Sequence, residues 1–229
     1  MEEKRIFIFT GYYGSGKTEV ATNFALKIRK KNKQVAIADM DVVNPYFRVR
    51  EKRDMLNDNN IKVIAPPKRI DNVDLPVLTA QLNGILDQDN YKVVLDLGGD
   101  DLGTTPLGSI KTKLKKEKYE LSVVVNINRP FTEDEKGIKK MIRMVENVGG
   151  LKVNSLISNT HLKEETSEEM IIRGAKIVKK VANSRELTFK MITIPNFLNS
   201  EKFRKSLRKK FNTKIMELGL IYNTPWSFS

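Results

Sequence analysis

Apolar residues fall along the chain in short, β-rich blocks separated by stretches of helical period. The blocks are RIFIFT (5–10), QVAIAD (34–39), IKVIA (61–65), KVVLDL (92–97), LSVVVNI (121–127), VNSLISN (153–159) and FKMITI (189–194). Most of them run apolar without alternation, which is the pattern of strands covered on both faces. Between them Glu19–Lys30, Leu75–Leu86, Glu133–Val148 and Ser167–Val181 space their apolar residues three and four apart, as amphipathic helices do. This order predicts a mostly parallel sheet, and right-handed crossovers turn it into an α/β fold, a three-layer α/β/α sandwich. No repeat, low-complexity tract or linker interrupts the pattern, so residues 1–229 read as one domain. The Pro-Pro at 66–67 and the Gly/Asp-rich segment 98–105 read as loops at strand ends. In such sheets the loops at the carboxyl ends of strands carry the ligand.

The first strand runs into GYYGSGKT at 11–18, a complete G-x-x-x-x-G-K-[ST], and a helical stretch follows. Glycines there let the backbone turn tightly and aim its amides at phosphate oxygens, and the helix adds its own free N–H groups. Gly11, Gly14, Ser15, Gly16, Lys17, Thr18 and Glu19 are therefore expected at a bound nucleotide. Lys17 would reach the β- and γ-phosphates, and the Thr18 hydroxyl would ligate Mg²⁺.

Two later strands end in acid. KVVLDLGGD supplies Asp96, placed to orient the waters of Mg²⁺, and Gly99, whose amide would sense the γ-phosphate in DxxG. The second predicted strand ends in Asp39-Met40-Asp41, whose carboxylates project to one side of an extended chain. They would share a cation, or one would polarise a water, on a strand expected beside the first. The bland alternative is a solvated strand end with an Asx turn near Asn44-Pro45. Arg48 and Arg50 are either phosphate ligands or surface residues. Asn126, Asn128 and Arg129 are either ligand-side groups or a plain turn before Pro130. Strand 153–159 ends in Asn159-Thr160-His161-Leu162, without the Asp of a guanine-reading NKxD, so Asn159 suits an adenine edge and the nucleotide is expected to be ATP. The loop Pro195-Asn196-Phe197 would wall the base from the other side.

Taken together, GYYGSGKT, the DMD strand end, DLGG and the LISN strand resemble the CobQ/CobB/MinD/ParA group of P-loop ATPases from Arg5 to about Pro195. The resemblance implies that Asp41 helps activate the hydrolytic water and that Asp39 supports the metal shell. Dimerising members of that group carry KGGxGKT, with a lysine that reaches across the dimer. Tyr12 takes that lysine's place here, so the chain departs from the trans-acting mechanism and from ATP-driven dimerisation.

Composition narrows the chemistry further. With no cysteine and His161 as the sole histidine, Fe–S and transition-metal sites are excluded, which leaves a hard cation held by oxygens. No apolar run is long enough for a spanning helix, so a cytoplasmic protein is expected. The net charge of +13 admits nucleic acid or an anionic membrane as partner, but the lysines are scattered more than striped. Residues 200–218 read as a basic amphipathic helix with Phe203, Leu207, Phe211, Ile215 and Leu218 on one stripe. Packing of that stripe on the protein's own sheet is favoured over a membrane, and Trp226 and Phe228 beyond it suggest docking of the tail. The functions compatible with all this are a Mg-ATP switch acting on an unidentified protein or small-molecule partner, a small-molecule kinase or ligase of dethiobiotin-synthetase type, and a positioning ATPase on DNA or membrane.

Overall fold

The computed structural model describes residues 4–41, 48–65 and 75–222. Asn44-Pro45, the Pro-Pro at 66–67, Trp226 and Phe228 lie outside them. Eight strands form one sheet, parallel throughout: β1 (Ile6–Thr10), β2 (Val35–Met40), β3 (Ile61–Ile64), β4 (Lys92–Leu97), β5 (Tyr119–Val125), β6 (Ser155–Ser158), β7 (Thr188–Pro195) and β8 (Lys214–Leu218). Ile6 and Ile8 of β1 enter one core layer, whereas Phe7 and Phe9 pack into the layer on the opposite face, as the two-residue strand period requires. Helices α1 (Lys17–Arg29) and α2 (Arg53–Asp58) cover the Phe9 side. Helices α3 (Leu75–Leu86), α5 (Pro106–Leu114), α6 (Glu135–Gly149) and α7 (Glu168–Ser184) cover the Ile8 side. The expected three-layer α/β/α sandwich is thereby realised.

The strand order is β3-β2-β4-β1-β5-β6-β7-β8. The Asp39-Met40-Asp41 strand is therefore not next to the first strand, as the sequence suggested, because β4 lies between them. Every position of β2 and five of six in β4 are buried, so both strands need neighbours on each edge, and interleaving provides them. The register sets Asp96 beside Asp39 on one side and Phe9 on the other.

The end of the chain also differs from expectation. The helix predicted over 200–218 stops at Phe211, as α8 (Glu201–Phe211), capped by Ser200 at its start. Asn212 takes φ 48 and returns its N–H to the Arg208 carbonyl, ending the helix in a left-handed turn. Lys214–Leu218 then becomes the eighth strand, with Ile215 beside Ile192 and Leu218 beside Pro195. A helical stripe and a strand of buried 215, 216 and 218 are both compatible with this sequence, and the open edge of β7 decides the outcome. Phe203, Leu207 and Phe211 pack with Ile171, Ala175, Ile192 and Ile194, so the apolar stripe belongs to the core. Segment 98–105, expected as a loop, contains the short helix α4 (Asp101–Thr104), whose first turn is capped by the Asp100 carboxylate accepting from Gly103 N–H at 2.6 Å. Among the described residues no helix is long and apolar enough to cross a membrane.

Candidate nucleotide-binding site

The carboxyl end of β1 leads directly into the phosphate loop. Thr10 donates its hydroxyl to the Gly98 carbonyl at 2.7 Å, which ties the loop's entry to the end of β4. Gly99 presses so closely on that entry that a Cβ there would sit 1.9 Å from the Gly11 carbonyl oxygen. Ser15 N–H returns to the Tyr12 carbonyl at 2.9 Å and closes the turn. Gly14 and Gly16 both adopt φ 77, a left-handed conformation that side-chain-bearing residues reach only at a cost. Gly16 then starts α1, whose first N–H groups and positive dipole end face the loop.

Lys17 and Thr18 open α1 and are both buried. Lys17 Nζ donates to Asp41 Oδ2 at 2.8 Å. Arg50 Nε donates to Asp39 Oδ2 at 3.0 Å, and the Arg50 backbone N–H points at the same oxygen from 3.4 Å. Asp41 thus faces Lys17, and Asp39 faces Arg50. Asp96, between them and the loop, is buried with neither oxygen in a hydrogen bond. The Thr18 hydroxyl is near enough to favour its charged form without meeting hydrogen-bond geometry.

Burial pushes the Asp96 carboxyl up to about 8, and nearby Asp39 and Asp41 push the same way against Lys17 and Thr18. Burial likewise raises Asp39 despite Arg50. For Lys17 burial acts downward, but Asp96, Asp41 and Asp39 outweigh it and the ammonium is held charged. Asp96 is thus held mostly as the neutral acid at pH 7, and both its oxygens and Asp39 Oδ1 are buried without partners, where a bound cation would favour the carboxylate form. Hard oxygens of this kind, with the Thr18 hydroxyl, fit Mg²⁺. Among the described residues no group of three or more His, Cys, Asp or Glu could hold a metal. Mg²⁺ ordinarily needs no such cage, because it takes one or two carboxylates and completes its shell with phosphate and water.

Other expected residues lie elsewhere in the site. Asn159, expected at the base, is fully buried beneath the loop; its amide donates to the Ser15 carbonyl at 2.7 Å and its oxygen accepts from Thr193 Oγ1. A Cβ on Gly16 would come within 2.4 Å of that amide, so Asn159 and the loop are packed together. Glu19 turns away from the loop toward the segment after β8. It accepts from Ile221 N–H at 2.6 Å and Tyr222 N–H at 3.4 Å, while burial raises its pKa to about 7 in spite of these donors. The same segment is held by Thr22 and Tyr222 hydroxyls 2.9 Å apart, and by Asn23 paired with the Gly219 backbone. Pro195 is buried at the end of β7, and Phe197 is the residue of that loop with an exposed ring.

Two residues at the site gave little or no sequence signal of their place. The Arg129 side chain lies over the loop, with Nε 2.9 Å from where a Gly14 Cβ would be. His161 Nδ1 accepts from Lys163 N–H at 3.3 Å, so the proton of the neutral ring sits on Nε2, which is buried, unpartnered and directed toward Gly16. Burial, then Arg129 and Lys163, lower its pKa to about 4, and the ring is neutral at pH 7. A lone histidine two residues past a strand end was the only available hint.

A strand, a glycine turn with a buried lysine and threonine, and an acid-ended neighbouring strand define a P-loop NTPase. Residues 6–224 match the CobQ/CobB/MinD/ParA nucleotide binding domain, and the chain belongs to that family. No curated protein matches it in sequence. Its fold is similar to cell division protein FtsY from Thermotoga maritima, at 15% identity and TM-score 0.59 over 84% of this chain and 62% of that one. FtsY from Mycoplasma mycoides is similar at 16% identity and TM-score 0.58, covering 84% and 60%. The signal recognition particle 54 kDa protein from Aeropyrum pernix, in complex with GDP, is similar at 16% identity and TM-score 0.57, covering 83% and 41%. The chain spans 41–62% of these three neighbours' lengths.

Proposed function

We propose that this chain is a Mg²⁺-dependent ATPase that uses its nucleotide state to switch a partner. The observation that carries the reading is Lys17, held by Asp41 at 2.8 Å where the loop amides and the start of α1 converge. A triphosphate on Gly11 to Thr18 offers the same ammonium competing oxygens. Lys17 then moves from carboxylate to phosphate, and Asp41 is left to orient the attacking water. Asp39, fixed by Arg50, keeps that strand end in place and supports the metal shell. Thr18 and Asp96 would hold Mg²⁺, which when bound neutralises charge on the β- and γ-phosphates. Gly99, against the first residue of the loop, transmits γ-phosphate contact to α4.

Tyr12 stands where a partner-reaching lysine would be, and Arg129 against Gly14 is the cation available within the same chain. His161 Nε2–H adds a neutral donor toward the turn at Gly16. With Asn159 committed to the loop, ATP is assigned on the lack of an Asp at that strand end to accept from guanine. Tyr13, Leu102 and Phe131 are exposed beside Tyr12, a surface on which a partner reads the state.

The test is equilibrium binding and phosphate release with ATP and GTP, each with and without Mg²⁺. ATP is expected to bind more tightly and to be hydrolysed only with Mg²⁺. Equal or tighter GTP binding would overturn the base assignment, and no binding of either would overturn the whole reading. A second reading, phosphoryl transfer to a small molecule, is motivated by the Tyr12 and Phe131 rings, 5.6 Å apart, which would shield a bound phosphate from water if they closed over it. Phosphate released without any added acceptor counts against it.

A further inference from the structure

At the other end of the sheet, four cations from three elements face one concavity. Lys27 comes from the last turns of α1, Arg204 and Arg208 from α8, and Lys214 from the start of β8; Asn212, Thr213 and Ile215 complete the wall. The cavity measures about 550 Å³, within the range of roughly 300–1,000 Å³ common for small-ligand clefts. Lys27 follows Lys17 by ten residues of helix, about 15 Å along its axis, so this is not the phosphate loop. Among the described residues none of the four meets a carboxylate; Arg204 donates to the neutral Asn199 Oδ1 at 2.8 Å. Like charges gathered without counter-charge repel one another. The Lys27 pKa is lowered, first by partial burial and then by Arg204, Lys214, Lys31 and Arg208.

We propose that this cleft is a second anion site, which takes the di- or triphosphate group of a small ligand. Two guanidinium forks match phosphate oxygens in bidentate fashion, and the two ammonium groups close the site from opposite walls. The cations line one concavity from three elements instead of following one helix face, which favours a compact polyphosphate over the phosphate rows of a nucleic-acid duplex. The ligand is either an inorganic polyphosphate or the tail of a nucleotide.

The experiment uses the full chain carrying Lys17→Ala, so that the phosphate loop does not compete. Titration with inorganic tripolyphosphate at low salt is expected to show one saturable site, and ATP added in a parallel arm tells whether a nucleotide tail is preferred. Adding Arg204→Gln and Arg208→Gln should weaken tripolyphosphate binding about 100-fold, two charged hydrogen bonds being lost. Amine modification read by mass spectrometry gives a second measure: ligand should protect Lys27, and the exposed single variant Lys214→Ala should reduce that protection if the double variant fails to fold. Unchanged affinity in the variants, no protection of Lys27, or binding of a random DNA duplex but not of tripolyphosphate would each overturn the proposal.

Discussion

The Asn159 side-chain amide donates to the Ser15 carbonyl at 2.7 Å, so a residue from the end of β6 holds the phosphate loop in its curve. Asn159→Ala should leave the Ser15 carbonyl without its partner and loosen the turn. ATP affinity is expected to fall about tenfold and stability by about 1–3 kcal/mol, because the buried hydrogen bonds to the Ser15 carbonyl and from Thr193 Oγ1 are both lost. Titration calorimetry beside a melting curve checks this. An unchanged affinity would mean the loop keeps its shape without Asn159.

Lys17→Ala and Asp41→Asn should separate binding from turnover. The alanine removes the cation from the phosphates, and nucleotide binding is expected to be lost while the circular dichroism spectrum stays native. The asparagine removes the carboxylate that competes for Lys17, so ATP affinity should hold or rise while hydrolysis slows by about 100-fold or more. Single-turnover phosphate release measures the second effect, and a wild-type rate would take Asp41 out of the mechanism.

Acid should act through His161. Its folded pKa, about 4, lies below the ordinary imidazole value of 6.5, so the neutral ring contributes stability that is present above pH 6.5 and lost as pH falls toward 4. Glu19 has the opposite sign, since its raised pKa of about 7 makes the fold gain as pH falls from 7 toward 4.5. Relative to wild type, His161→Gln should therefore gain several degrees in melting temperature between pH 6.5 and 4, and Glu19→Gln should lose its share over the same range. Parallel curves for wild type and His161→Gln would show that the ring is not buried neutral.

The apolar stripe of α8 offers a direct stability test. Leu207 is fully buried against α7 and β7, and Leu207→Ala should cost about 2–5 kcal/mol. A helix that lies on lipid would lose vesicle binding from this change and little stability. Chemical denaturation beside vesicle sedimentation distinguishes the two.

Periodicity carried the layers of the fold and the phosphate loop, because both depend on patterns only a few residues long. Seven strands were legible as apolar runs. The eighth was not, since Lys214–Leu218 has the same apolar spacing in a strand and a helix, and only the open edge of β7 separates them. Residue type placed Lys17, Thr18, Asp39, Asp41 and Asp96 at one end of the sheet, where strand topology brings them together. It did not show the contacts of Asn159 and Glu19, whose partners Ser15, Thr193, Ile221 and Tyr222 are distant in sequence or belong to the backbone. The order of β2 and β4 was hidden for the same reason: adjacency between strands is a long-range fact, and neither strand's composition encodes which neighbour fills the gap.

The clasp between the first turn of α1 and residues 219–222 has a consequence for biosynthesis. Glu19, Thr22 and Asn23 leave the ribosome early, but the backbone and hydroxyl groups that engage them are made some two hundred residues later. A nascent chain carrying the whole phosphate loop therefore still lacks the segment that secures the helix behind it. Nucleotide capture during synthesis should be loose until that segment emerges and closes on the helix.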